Sequence, residues 1–91
     1  MEMNEIFKIL SDKNRFEILN IISQKKEICA CDLIKYFDIT QATFSYHMKL
    51  LRDVKLVDCY KQGTWCIYTV NKKTINTLLK YFEKIGGEKN D

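Results

Sequence analysis

The sequence predicts a mainly α-helical fold with one small β-hairpin. Three observations carry this. Apolar residues recur at spacings of three and four from Ile6 to Leu51, the period changes to two between Leu56 and Val70, and helical spacing returns from Ile75 to Ile85. The chain has 91 residues, which is read as one domain spanning 1–91. It holds no proline and three glycines, so little of it is left for irregular loops. Hydrophobic residues make up 46% and charged residues 30%, which excludes a disordered or fibrous chain. No apolar run reaches the roughly 18 residues of a membrane helix. The acidic start, Met1-Glu2-Met3-Asn4-Glu5, lacks the apolar core of a secretory signal, and a cytoplasmic protein is expected.

A first helix over 4–10 is read from Ile6, Phe7, Ile9 and Leu10. Ser11 is the expected N-cap of a second helix over 12–23, with Asp12 in its first turn, where a carboxylate suits the helix dipole. Gln24-Lys25-Lys26-Glu27 reads as a polar connection. Leu33, Ile34 and Phe37 place a third helix over 31–37, with Cys29 at its start or just before it. Asp38-Ile39-Thr40 is a tight link, and Thr40 caps a fourth helix over 41–54. That helix turns Phe44, Met48 and Leu51 inward with His47 beside them, and Gln41, Ala42, Ser45, Tyr46 and Lys49 outward. Strands are expected over 56–61 and 64–70 around a Gln62-Gly63 loop, which sets Cys59 opposite Cys66. Val57, Cys59, Cys66, Tyr68 and Val70 then share one face. A last helix over 74–85 ends at Gly86-Gly87, followed by a frayed polar tail.

The resulting order, α-α-α-α-β-β-α, is that of a winged helix-turn-helix. Residues 28–54 form the helix-turn-helix and 55–71 the wing. In such an arrangement the first short helix braces the second, the second offers a polar face to the DNA major groove, and the hairpin tip reaches the neighbouring backbone. The residues expected to meet DNA are Thr40, Gln41, Ala42, Thr43, Ser45, Tyr46 and Lys49 on the reading helix, with Lys61, Gln62 and Thr64 at the tip. Six basic residues (Lys49, Arg52, Lys55, Lys61, Lys72, Lys73) stand against Asp53 and Asp58 between His47 and Lys73. That excess exceeds the net charge of +3 on the whole chain, which is the footprint of a nucleic-acid-binding face.

The end segments, 3–23 and 72–86, carry more apolar surface than so small a domain absorbs. Ile6, Phe7 and Leu10 in the first, with Ile75, Leu78, Leu79 and Phe82 in the last, are expected to bury it in a two-fold homodimer. Four cysteines without a secretory signal read as reduced thiols rather than a disulfide framework, and Cys29 and Cys31 stand too close in sequence to pair comfortably. Clustered thiols in that setting point to a metal or metalloid. No paired carboxylates, glycine-rich phosphate loop or Cys/His constellation supports an enzyme.

Four stretches resemble the ArsR/SmtB family of metal-sensing repressors. Glu27-Ile28-Cys29-Ala30-Cys31-Asp32-Leu33 resembles its "ELCxCDL" motif, and Thr40 to Leu51 its "SQPTLSHHLKLL" recognition helix. Lys61 to Tyr68 resembles its wing, "KEGRWxxY", and Leu10 to Leu19 its "LSDPTRLxIL" segment. The resemblance covers nearly the whole chain and lies closest to the arsenic- and antimony-responsive members. It implies a homodimer that sits on operator DNA and releases it when trivalent arsenic or antimony binds Cys29 and Cys31, with no organic cofactor and no membrane association. Two departures stand out: Ile34 occupies the position of a third cysteine in many relatives, and Ala42 that of a proline. The last helix has no His, Asp or Cys, where zinc- and nickel-sensing relatives hold their ligands. The absence of cysteines before Cys29 sets the chain apart from cadmium and lead sensors.

Thiolates suit soft, thiophilic trivalent arsenic. Residues two apart point about 200° around a regular helix. Cys29 and Cys31 therefore share a ligand only if the helix starts late or is distorted, and such a distortion would reach the reading helix through 38–40. A helix N-terminus would also favour the thiolate. Cys59 and Cys66 read as core packing residues, and His47 as a packing or phosphate-contact residue. Two other functions stay open: a thiol redox switch through Cys59 and Cys66 or Cys29 and Cys31, and a protein-interaction module that binds no DNA.

Overall fold

Helix boundaries follow local capping chemistry. In the computed structural model, which describes residues 2–87, α1 is Met3–Leu10 and α2 is Lys13–Lys25. Met1 and the tail 88–91, read as frayed, lie outside the described residues. Ser11 does not cap α2: its hydroxyl donates to the Lys8 carbonyl at 2.7 Å and closes α1. Asp12 is the cap, accepting from the Arg15 backbone N–H at 3.0 Å. α2 also runs two residues beyond Ser23, until Lys26 turns the chain at φ +72°.

That turn starts a strand the sequence does not announce. β1, Glu27–Cys29, pairs antiparallel with the second wing strand, setting Ile28 opposite Tyr68 and Cys29 opposite Ile67. The third helix begins at Ala30, one residue before the expected 31, and is shorter at its far end. α3 covers only Ala30–Leu33 and tightens into a 3-10 turn, Ile34–Tyr36, before the chain extends at Phe37. The fully buried Leu33 anchors it. α4, Gln41–Asp53, begins where expected, with the Thr40 hydroxyl accepting from the Thr43 N–H at 3.1 Å.

The wing is β2, Val57–Gln62, and β3, Trp65–Val70. Its loop is Gly63-Thr64 rather than Gln62-Gly63, so Cys59 faces Tyr68 and Cys66 faces Lys61. Gly63 explains the shift. It holds φ +65° at the first loop position, as a II′ turn requires of glycine. The sheet is three-stranded in the order β1-β3-β2, not a two-stranded ribbon. Asn71 caps α5, Lys72–Ile85, by accepting from the Thr74 N–H at 2.9 Å.

Ile6, Ile18, Ile22, Leu33, Phe44, Met48, Leu51, Leu56 and Val57 form the dry centre, between α1, α2, α4 and the inner face of the sheet. Each such side chain contributes about 1.5–3 kcal/mol by leaving water. Val57, Cys59, Cys66, Tyr68 and Val70 do share that inner face, because the change of loop leaves the alternation intact. Cys29, Tyr60 and Ile67 line the outer face.

Candidate DNA interface and thiol site

α4 buries Phe44, His47, Met48 and Leu51, and this fixes which of its sides faces out. Gln41, Ala42, Thr43, Ser45, Tyr46 and Lys49 are all exposed, as are Lys61, Gln62 and Thr64 at the wing tip. Thr40 is exposed but engaged: it caps the helix and donates to the Thr43 hydroxyl at 3.0 Å. Lys49 pairs with Asp53 at 2.8 Å across one helical turn. An exposed pair of this kind is worth little, so it does not hold Lys49 in place. Trp65, 55% exposed, stands beside the tip residues and was not singled out from sequence.

His47 packs inside. Its Nδ1 lies 3.0 Å from Nη1 of Arg15, whose Nε donates to the Ile9 carbonyl at 2.7 Å. Arginine only donates, so Nδ1 is the acceptor and Nε2 carries the ring proton. Arg15 thereby ties the end of α1, the start of α2 and the buried side of the reading helix into one network. The Arg15 backbone N–H, with a smaller contribution from the Arg15 charge, holds the Asp12 carboxyl below its ordinary value. No sequence pattern marks a contact between residues this far apart in the chain.

The thiols are not free. The structure joins Cys29 to Cys31 and Cys59 to Cys66 as disulfides, against the expectation of reduced cysteines. The first pairing follows from the strand-to-helix junction. Cys29 is extended just before α3 (φ −76°, ψ 150°) and Cys31 lies in its first turn, so the pair straddles the start of the helix with Cα atoms 5.4 Å apart. The expected dipole contribution is small, because α3 has only four residues. Asp32, exposed, brings a carboxylate oxygen and the two sulfurs within 4.8 Å of one another. It was missed as a donor, although it directly follows Cys31. It also faces Lys35 at 3.5 Å. A groove of about 570 Å³ opens beside Cys29, lined by Lys25, Glu27, Asp32, Lys35 and Tyr36. Tyr60 reaches over this outer face and donates to Glu27 at 2.7 Å, which raises the Tyr60 pKa. Cys59 and Cys66 lie on the opposite face of the sheet and form a separate pair.

The apolar residues of the end helices divide. Ile6 and Leu78 are buried within the protomer, and Phe7, Leu10 and Ile75 are half-buried. Leu79, Phe82 and Ile85 remain exposed. Phe7 packs on Phe82 and Tyr81 with ring centroids 5.7 and 6.0 Å apart, which makes one apolar surface of α1 and α5.

A capped reading helix with a polar outer face, braced by a short helix and flanked by a β-hairpin wing with Lys61 near its tip, defines a winged helix-turn-helix transcription regulator. The residue pattern of the bacterial regulatory proteins of the arsR family matches residues 12–58, and the chain belongs to that family. It is 41% identical over 73 residues to the arsenical resistance operon repressor of Bacillus subtilis (strain 168), covering 80% of this chain and 70% of that one. With the arsenical resistance operon repressor of Staphylococcus aureus it shares 42% over 79 residues, 87% of this chain and 75% of the other. The solved ArsR-like transcriptional regulator from Rhodococcus sp. RHA1 superposes with a TM-score of 0.80 at 26% identity, covering 93% of this chain and 79% of that chain. These relatives and this fold belong to DNA-binding repressors, not enzymes. Among the described residues, no helix is long and apolar enough to cross a membrane.

Proposed function

We propose that the chain is a homodimeric repressor that holds operator DNA with α4 and the wing and releases it when trivalent arsenic or antimony binds Cys29 and Cys31. One observation carries the reading: both sulfurs converge at the junction of β1 and α3. Reduced, the pair presents two thiolates to one point, and soft donors in that number suit a thiophilic metalloid. Asp32 is positioned as a third, harder donor where Ile34 replaces the cysteine of many relatives. The relatives named as arsenical resistance operon repressors support the choice of ligand.

The junction has two outputs. Cys29 is hydrogen-bonded into the sheet beside Ile67 of the wing. Four residues past α3 and its 3-10 turn, the reading helix begins. A change of backbone at Cys29 and Ala30 therefore moves wing and reading helix together, off the ~34 Å spacing that paired reading heads need on DNA. The exposed surface of Leu79, Phe82 and Ile85 supplies the dimer contact. The radius of gyration, 14.4 Å, supports a protomer completed by a partner, since a self-contained chain of this length has about 12 Å.

The test is arsenite titrated into reduced protein on the DNA upstream of its own gene, read by fluorescence anisotropy. Release near stoichiometric arsenite is expected, none with zinc, and none in the Cys29→Ser/Cys31→Ser variant. Release that survives the double substitution would sink the site. A second reading, oxidative release through the same pair, is favoured by the Cys29–Cys31 disulfide itself. Release by peroxide with no response of the reduced protein to arsenite would select it.

A further inference from the structure

We propose that Cys59 and Cys66 form a peroxide-oxidisable dithiol that tightens the wing's hold on DNA. The pair is separate from the Cys29–Cys31 site, since the two pairs occupy opposite faces of the sheet. It sits diagonally across the ribbon, with Cα atoms 6.3 Å apart, inside the span a disulfide bridges. Both residues are half-buried, so a small oxidant reaches them. They enclose residues 60–65, which include the tip residues Lys61, Gln62 and Thr64.

The register makes the two sulfurs unequal. Lys61 stands directly opposite Cys66 on the same face, whereas Cys59 faces Tyr68, a buried residue. An ammonium group beside a thiol favours the thiolate, so Cys66 is the attacking sulfur. Its thiolate displaces hydroxide from hydrogen peroxide and becomes a sulfenic acid. The Cys59 thiol then attacks that sulfur, the S–S bond forms and water leaves. Two thiols and one peroxide give one disulfide and two waters, with sulfur oxidised and the peroxide oxygens reduced.

Two consequences for DNA run in one direction. The closed loop removes freedom that the tip would otherwise lose on binding. Loss of the Cys66 thiolate frees Lys61 for a phosphate. This rests on the reading that the wing tip meets DNA, and the experiment separates the two.

The Cys29→Ser/Cys31→Ser variant leaves the wing thiols alone. Reduced and then treated with equimolar hydrogen peroxide, it is expected to lose the mass of two hydrogens with no oxygen retained. Its affinity for the upstream DNA is expected to rise about three- to tenfold, with a salt dependence steeper by about one counterion. Adding Cys59→Ser should trap a single oxygen on Cys66, and adding Cys66→Ser should not leave one on Cys59. No disulfide, or a disulfide with unchanged or weaker affinity, overturns the proposal. An oxygen retained on Cys59 instead overturns the assignment of Cys66 as the attacking sulfur. Lys61→Ala with undiminished affinity in the reduced protein would instead overturn the wing–DNA reading on which it rests.

Discussion

Replacing Leu79 and Phe82 together by glutamate is expected to split the proposed dimer while leaving the protomer folded. The two residues lie three apart on one face of α5 and are 54% and 52% exposed in the single protomer. Covering the exposed half of a large apolar side chain yields roughly 1 kcal/mol, half of what full burial gives. Two such residues from each of two protomers amount to about 4 kcal/mol, or roughly a thousandfold in the dissociation constant. Four carboxylates pressed together at a two-fold axis add repulsion in the same direction. Analytical ultracentrifugation across micromolar concentrations reads the constant directly. A thermal melt shows whether the fold survives, as it should, because the centre around Ile18, Ile22, Phe44 and Leu51 is untouched. A folded variant that self-associates as tightly as the parent chain would refute the placement of the dimer contact on α5.

Further outcomes follow from single contacts. Asp12→Ala should cost about 1 kcal/mol at neutral pH, the usual loss of an N-cap. The Asp12 pKa is lowered below 3.8 in the fold by the Arg15 backbone N–H, so its contribution is complete above that value and fades as pH falls through the depressed one. Urea melts of both proteins should therefore converge in strong acid; a gap that persists there would argue against the carboxylate. Arg15→Ala strands the buried Nδ1 of His47 and the Ile9 carbonyl, and a loss of about 1–3 kcal/mol in urea unfolding is expected; no loss would mean water replaces both contacts. Gly63→Ala meets no atom within 4 Å but must hold φ +65°, so about 1 kcal/mol is lost. Amide exchange should quicken along β3, and unaltered exchange there would contradict the strain.

Much of the reading surface was legible because it rests on short-range chemistry. Thr40 before an amphipathic stretch marks the start of α4, and the period of Phe44, Met48 and Leu51 alone determines that Gln41, Ser45 and Tyr46 face out. Ser11 against Asp12 shows the margin of such reasoning: adjacent residues both suit a cap, and only the path of the chain decides between them.

What sequence alone determined is the kind and order of nearly every element, because periodicity, caps and turn residues act within a few residues of one another. What only the tertiary structure decided is whatever depends on a distant partner. Three residues, Glu27–Cys29, carry no pattern of their own and become a strand because the free edge of β3 offers hydrogen bonds. The same pairing hydrogen-bonds the thiol site into the wing sheet. One residue of loop position, decided by Gly63, moves Cys59 from facing Cys66 to facing Tyr68. His47 meets Arg15 only once α2 and α4 are packed, since nothing local brings a ring nitrogen to a guanidinium 32 residues away.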